Sequence, residues 1–266
     1  MICDYHLHSS FSGDSEAAPE DMIQKAVSLG MKQMCFTDHY DMDYPDEPEL
    51  FLFDVDAYFD KMSELKEQYK DRIKICTGIE LGLQPHLQSR CRKLVSGYPF
   101  DFVIGSSHVV NHMDPYYPQY FEGRSESECY QEYFQSILDN LDVFDDFDVY
   151  GHIDYIVRYG PDKNLHYSYE RYRDVLDAIL HTCIQKGIGL EINTGGIAYG
   201  LGTTNPHPDI LKRYRELGGE IITIGSDAHT PERLGYEFGQ AGTILRDCGF
   251  RYYTVFENRK PVYIPL

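Results

Sequence analysis

Short apolar, β-rich runs alternate with longer amphipathic stretches along most of the chain. The apolar runs have the length of buried strands, and the amphipathic stretches repeat their apolar positions with helical spacing. The runs predict seven strands, at 2–8, 33–37, 73–81, 102–107, 147–152, 188–193 and 221–225. The amphipathic stretches predict helices at 19–30, 55–72, 126–141, 168–187, 207–219 and 231–249.

Glycines stand at the predicted C-terminal ends of three of these helices. Gly30, Gly187 and Gly218 stand where helices are expected to stop, and glycine readily takes the left-handed conformation there. Strands that alternate with helices form parallel sheets, because parallel neighbours need a crossover connection. No repeat, low-complexity segment or linker divides the sequence. The pattern therefore predicts an α/β fold, a closed or nearly closed seven-stranded TIM-like barrel, as a single domain over residues 1–266.

Two connections are long for such a barrel, at 40–53 and 109–126. The first is acidic and contains prolines, and the second is rich in aromatic residues. Both follow strands, so both are expected at the face of the barrel where the strands end and where barrel enzymes hold their active sites. Long loops in compact domains are often functional lids. Whether either loop closes is not determined by the sequence.

Composition narrows the class of protein. The 266 residues include 43 acidic and 24 basic side chains, for a formal net charge of −19. Such a chain lacks the basic face that binds nucleic acid or an anionic membrane surface. Seven scattered cysteines without a CxxC pair predict reduced thiols rather than a disulfide framework or a zinc ribbon. With no recognisable secretory signal or membrane span, we expect a cytoplasmic protein of undetermined oligomeric state.

Metal-binding types of residue collect where the predicted strands end. A lone histidine after a strand is more often a satisfied polar residue than a ligand. Here, however, His6 and His8 stand two apart and so point to the same side of a strand. The other candidates at strand ends are Asp14, His39, Glu80, His108, His152, Asp227 and His229. The strand at 188–193 contributes Glu191 and Asn193 instead. Six histidines and three carboxylates at one rim predict a metal site.

The chemistry of these ligands restricts the metal. Imidazole and carboxylate groups without thiolates suit zinc, iron or manganese. Nine ligands are too many for one ion, so we expect two to three divalent ions, with a carboxylate such as Glu80 bridging a pair. Three such ions and three carboxylates would leave a local charge of about +3. A phosphate could therefore bind even in this acidic protein.

The order of the motifs, "HLH … GD … TDH … GIE … SSH … GH … SDAH", resembles that of the polymerase and histidinol phosphatase (PHP) superfamily. The resemblance runs from His6 to His229. Within the superfamily, "GHIDYIVRYG" (151–160), "EINTGG" (191–196) and "IGSDAHTPERLG" (224–235) resemble the stand-alone histidinol-phosphate phosphatases. The resemblance implies a distorted (β/α)7 barrel and the hydrolysis of L-histidinol phosphate to L-histidinol and phosphate in histidine biosynthesis.

The resemblance also implies three metal positions. The first would be held by His6, His8, Glu80 and Asp227. Glu80 would bridge to the second, which His108 and His152 complete. The third would be held by Asp14, His39 and His229. In the implied mechanism, a hydroxide bridging the first two ions attacks phosphorus in line with the leaving alkoxide.

Further residues are assigned to substrate. Arg158 is expected to clamp the phosphate, because a guanidinium fork matches two phosphate oxygens. His112, Arg124 and Asn193 are weaker candidates for substrate contacts. The proton for the leaving group would come from Asp227 or His229, and the sequence does not choose between them.

Three alternatives stay open. Another PHP hydrolase could act on a nucleotide or on phosphotyrosine, since the metal ligands do not distinguish these substrates. An amidohydrolase-type deaminase or amidase has a similar order of ligands, but it usually bridges its metals with a modified lysine where this chain has Glu80. A PHP module could also serve as a scaffold or a proofreading remnant of a polymerase, although the complete set of ligands argues against this.

Overall fold

The computed structural model describes residues 3–266, so residue 2 of the first predicted strand lies outside the described residues. The strands are β1 Cys3–Asp4, β2 Gln33–Phe36, β3 His39–Tyr40, β4 Lys74–Gly82, β5 Phe102–Ser106, β6 Val149–Tyr150, β7 Gly189–Asn193, β8 Ile222–Gly225, β9 Tyr252–Glu257 and β10 Lys260–Pro265. The helices are α1 Pro19–Ser28, α2 Val55–Tyr69, α3 Gln88–Gly97, α4 Glu126–Val143, α5 Arg173–Lys186, α6 Gly195–Ala198, α7 Pro208–Glu216 and α8 Phe238–Asp247.

The parallel strands form one sheet in the order β1-β2-β4-β5-β6-β7-β8, with β3 paired to β4. The two ends of this sheet meet. The Tyr5 N–H donates to the Ile224 carbonyl at 3.0 Å, and the His8 N–H donates to the Ala228 carbonyl at 2.9 Å. The segment after β1 therefore joins the segment that contains β8, and the barrel closes. The predicted α/β barrel is confirmed.

The helices cover the barrel through their apolar faces, as helix α2 illustrates. Tyr58, Met62 and Leu65 recur at helical spacing and are fully buried. The Tyr58 hydroxyl also donates to the Gly78 carbonyl of β4 at 3.0 Å. The Asp54 carboxylate caps the start of the helix by accepting from two backbone N–H groups. Patterning and capping together fix this helix on the sheet.

Three helices end just before the glycines that were predicted to stop them. Gly30, Gly187 and Gly218 have φ angles of 73°, 72° and 99°, as expected for left-handed positions after a last turn. The helix predicted at 231–249 is shorter, because residues 231–233 form a 3₁₀ turn and Gly235 and Glu237 take positive φ before α8 begins. The helix predicted at 168–187 likewise begins with a 3₁₀ turn before α5.

Some elements were not predicted. Helix α3 was missed, and so was the antiparallel hairpin of β9 and β10, which turns at Asn258 and Arg259, both with positive φ. All seven cysteines are buried and free, in agreement with the expected reduced thiols. Among residues 3–266, no helix has the length and apolar character needed to cross a membrane.

Candidate metal centre

The ends of the barrel strands and the loops that follow them enclose a cavity of about 630 Å³. Six of the nine predicted metal ligands line it: Asp14, His39, His108, His152, Asp227 and His229. The other three, His6, His8 and Glu80, are fully buried and contact the lining ligands. The structure thus brings all nine side chains together.

The first group of ligand atoms surrounds a single point. His6 Nε2 lies 3.1 Å from Glu80 Oε2, and His8 Nε2 lies 3.4 Å from Asp227 Oδ1. His6 Nε2, His8 Nε2 and Glu80 Oε2 are buried and have no hydrogen-bond partner. Buried polar atoms are normally satisfied. A divalent cation between them would satisfy all three, so this group fits a metal ion.

Glu80 also faces a second group of ligands. Its Oε1 atom lies 2.9 Å from His152 Nε2 and 3.3 Å from His108 Nε2. The Ser106 hydroxyl donates to the same oxygen at 2.7 Å. Because the two oxygens of Glu80 face different histidines, the carboxylate is placed to bridge two ions.

The third group lies nearer to solvent. His229 Nε2 and His39 Nε2 lie 3.2 Å and 3.8 Å from Asp14 Oδ2. The rings of His39 and His229 stack on the ring of His8, with centroids 4.2 Å and 4.0 Å apart. The Asp14 side chain is 43% exposed, more than any other predicted ligand for which an ion pair is observed. This group is the most open of the three.

The carboxylates among the predicted ligands favour the binding of cations, as the pKa values of the site show. Burial alone would raise the pKa of Glu80, but His6, His39 and His108 outweigh it and hold this pKa well below its usual range. In turn, Glu80 and Asp14 outweigh burial at His39 and raise its pKa to about 9. The pKa of His6 is also raised, by Glu191 and Glu80. Protons therefore occupy positions where metal cations would bind in their place.

A second layer of carboxylates orients the ligand rings. His6 Nδ1 lies 2.7 Å from Glu191 Oε1, and His108 Nδ1 lies 2.7 Å from Asp41 Oδ2. Because a carboxylate accepts hydrogen bonds, each Nδ1 keeps its proton, and release of the Nε2 proton would leave Nε2 as the lone-pair donor. This is the tautomer that a metal ligand needs.

His8 is oriented by a hydroxyl in the same way. Its Nδ1 atom lies 3.0 Å from Ser12 Oγ, which donates to Asp38 Oδ1 at 2.9 Å. Ser12, Asp38 and Asp41 were not predicted to be parts of the site. The available signal was the position of the two aspartates, which flank His39 in "TDHYD".

Arg158 is buried at the cavity wall, with 3% of its surface exposed. Its Nη1 donates to Asp227 Oδ2 at 2.8 Å, its Nη2 to Asn193 Oδ1 at 2.9 Å, and its Nε to Asn205 Oδ1 at 2.8 Å. Asn193 is fully buried and does not line the cavity, so it holds Arg158 rather than facing a ligand. The predicted substrate contact at Asn193 is corrected accordingly.

Two other predicted substrate contacts lie away from the cavity. His112 is exposed, and its ring centroid lies 6.0 Å from that of His86. Arg124 donates to Glu132 at 2.7 Å and lies over the Tyr120 ring. Neither residue lines the cavity, because these parts of the loop turn outward. These two predictions are corrected.

Both long loops nevertheless border the cavity. The loop at 40–53 contributes Asp41, Tyr44, Leu50 and Phe51, and the loop at 109–126 contributes Asp114, Tyr116 and Tyr117. Acidic and aromatic side chains therefore cover the side of the cavity that these loops form.

A model of the PHP domain matches residues 4–195. The chain belongs to the PHP family. The histidinol-phosphatase of Lactococcus lactis subsp. lactis (strain IL1403) is 32% identical over 258 residues, which cover 97% of this chain and 95% of that protein. The probable histidinol-phosphatase of Clostridium acetobutylicum is 32% identical over 266 residues, which cover 99% of this chain and 96% of that protein.

A solved PHP-type structure shares the fold. The crystal structure of histidinol phosphate phosphatase from Lactococcus lactis subsp. lactis Il1403, complexed with zinc, L-histidinol and phosphate, matches with a TM-score of 0.89 and 31% identity. The match covers 98% of both chains. The resemblance to PHP proteins and the barrel that it implied are confirmed.

Proposed function

We propose that the protein is a metal-dependent phosphatase that hydrolyses L-histidinol phosphate to L-histidinol and phosphate. The observation that carries the proposal is the position of Glu80, whose two oxygens face His6 on one side and His108 and His152 on the other. The histidinol-phosphatases that share about a third of their residues with this chain support the choice of substrate.

The residues fit two to three divalent transition-metal ions, with zinc, iron and manganese all compatible with nitrogen and oxygen ligands. We assign three sets of ligands: His6, His8, Glu80 and Asp227; Glu80, His108 and His152; and Asp14, His39 and His229. Ions held there would lower the pKa of bound water and stabilise negative charge on phosphate oxygens. The orphaned atoms His6 Nε2, His8 Nε2 and Glu80 Oε2 support the first set.

Arg158 has two tasks in this scheme. Its bond to Asp227 Oδ2 leaves Oδ1 of that carboxylate facing His6 and His8. A guanidinium has five N–H groups, and three of them are used by Asp227, Asn193 and Asn205. The remaining two are available for phosphate oxygens, because Arg158 lines the cavity. Arg158 thus orients a ligand and serves as the phosphate clamp.

The leaving-group proton is not assigned to Asp227. His6 and Arg158 outweigh burial and hold the pKa of Asp227 well below its usual range, so this group is a carboxylate without a proton to give. His229 Nδ1 lies 3.0 Å from the Asp227 carbonyl, which leaves Nε2 facing Asp14. We assign both side chains as ligands. Asp14 outweighs burial and raises the pKa of His229, so His229 stays the candidate proton donor.

A phosphate-release assay across L-histidinol phosphate, nucleotides and phosphotyrosine tests the substrate. We expect L-histidinol phosphate to be hydrolysed with a kcat/KM far above those of the other esters. Comparable rates on several substrates would contradict the specific assignment while keeping the reaction class.

We also propose a cytoplasmic location, which the seven free, buried thiols support.

A further inference from the structure

Asp114 is a buried carboxylate at the cavity wall, on the loop at 109–126, with 8% of its surface exposed. Its Oδ2 accepts a hydrogen bond from the Tyr44 hydroxyl at 2.7 Å, and its Oδ1 accepts one from the Tyr116 N–H at 2.7 Å. Both donors are neutral. Within residues 3–266, Asp114 forms no ion pair with a lysine, arginine or histidine. A buried charge without a counter-charge is costly, so this carboxylate lacks a partner.

A second acid on the same wall has an unused oxygen. Asp41 is 3% exposed and lines the cavity. Its Oδ2 holds His108 Nδ1, but its Oδ1 is buried without any hydrogen-bond partner. Buried oxygens normally have partners, so this atom is open to a donor or a cation bound in the cavity.

The arginines of the cavity do not supply this partner. Two arginines line the cavity, and Arg158 is paired with Asp227. The other, Arg233, is exposed and lies over the Tyr236 ring at 5.2 Å. Neither arginine that lines the cavity therefore pairs with Asp114.

Tyrosine rings line the same cavity as Asp41 and Asp114. The Tyr155 and Tyr159 ring centroids are 4.9 Å apart, and the Tyr116 and Tyr159 centroids are 5.2 Å apart. Tyr199 extends this row at 5.8 Å from Tyr159. Such rings offer apolar contact to a heteroaromatic ring and attract cations to their faces.

We propose that Asp114 is the specificity-determining residue of this site and binds the ammonium group of the substrate, with Oδ1 of Asp41 as a second acceptor. The proposal rests on the proposed function. An ammonium has three N–H donors and keeps its charge at neutral pH, so it can donate to more than one carboxylate. The phosphate would lie toward Arg158 and the metal ligands. The site would therefore select phosphate esters of amino alcohols over uncharged analogues.

A matched pair of substrates tests this role. L-histidinol phosphate and 3-(imidazol-4-yl)propyl phosphate differ only in the ammonium group. We expect the wild-type holoenzyme to prefer the first. Asp114→Asn should lower kcat/KM for L-histidinol phosphate by about 10- to 100-fold, mainly through KM, because a charged hydrogen bond is lost. The same variant should leave kcat/KM for the des-amino ester within about twofold, since that ester makes no such bond.

Two further variants keep the test decisive. Tyr44→Phe removes the hydroxyl that orients Asp114 and should also raise KM for L-histidinol phosphate selectively. Asp60→Asn changes an exposed aspartate of α2 outside the cavity and should change neither substrate. Equal losses on both esters in Asp114→Asn and Tyr44→Phe would overturn the role of Asp114. A wild-type enzyme that does not hydrolyse L-histidinol phosphate would instead overturn the proposed function.

Discussion

Arg158 Nη1 lies 2.8 Å from Asp227 Oδ2, and both side chains are almost completely buried. Asp227 can still serve as the predicted metal ligand, because its other oxygen, Oδ1, lies 3.4 Å from His8 Nε2. Asn193 and Asn205 hold the other arms of the fork. The arginine is therefore part of the frame of the metal centre as well as a lining group of the cavity.

Replacing Arg158 should affect turnover as well as binding. Arg158→Lys keeps the charge but cannot bond Asp227, Asn193 and Asn205 together, so we expect kcat to fall by about 10- to 100-fold as Asp227 loses its orientation. Arg158→Ala should also lower the free energy of unfolding by about 3–5 kcal/mol, because one partner of the buried Arg158–Asp227 ion pair is removed. Steady-state kinetics and urea unfolding measure these effects.

Arg173→Lys is the control for this experiment, since Arg173 is exposed on α5 and forms an ion pair with Glu170 at 3.6 Å. It should behave as wild type. If Arg158→Lys also kept wild-type kinetics, its contact with Asp227 would have no part in catalysis.

The Asp41 carboxylate, which accepts a hydrogen bond from His108 Nδ1, should strengthen metal binding. Asp41→Asn replaces the charged acceptor of His108 Nδ1 by a neutral amide, which makes the ring a weaker ligand. We expect metal affinity to fall by about 10- to 100-fold. Competition with a chelator measures the change. Asp43→Asn, two residues away but exposed and paired with Arg90, should leave affinity unchanged. Identical affinities in the two variants would remove Asp41 from the centre.

Metal binding should release protons. The carboxylates of the cluster raise the pKa of His6, His39 and His108, that of His39 to about 9. Groups with raised pKa values hold protons at neutral pH in the metal-free protein, and a metal ion has to displace them. Apparent metal affinity should therefore fall as pH is lowered. Calorimetric titrations with zinc in two buffers of different ionisation enthalpy should give different heats, and equal heats would show that no proton is released.

Gly225 leaves space for the His6–Glu191 pair. A Cβ atom at this position would lie 2.2 Å from Glu191 Oε1 and 2.4 Å from His6 Cβ. Gly225→Ala should therefore lower the free energy of unfolding by about 1–3 kcal/mol and reduce the metal content. Gly239→Ala in α8 meets nothing within 4 Å and should stabilise the fold by about 0.5 kcal/mol. Thermal unfolding and metal analysis measure the stability and metal content of the two variants. Equal stability would contradict the predicted steric clash at Gly225.

The barrel and the meeting of the ligands were predictable because both follow from periodicity. Parallel strands end at one face, and a spacing of two places His6 and His8 on one side. Glu80 lies at the end of a long buried strand, so its direction was set by the same rule. The nine side chains that were predicted as ligands therefore lie close together.

The remaining parts depend on contacts that periodicity does not encode. Arg158 is fixed by Asn205, which is 47 residues away and reaches it through a loop. Asp41 meets His108 because the short strand β3 pairs with β4, which no local pattern showed. His112 and Arg124 were misplaced because side-chain direction in an irregular loop has no fixed period. Asp114, in the same loop, faces the cavity instead.

The central claim is that metal ions bound by this cluster carry out the hydrolysis of L-histidinol phosphate. The most direct measurement is phosphate release from that ester by protein stripped of metal and then titrated with zinc or manganese, with bound metal determined in parallel. We predict loss of activity in the stripped protein, recovery as two to three equivalents bind, and no recovery in Glu80→Gln. Full activity in protein shown to contain no metal would contradict the account.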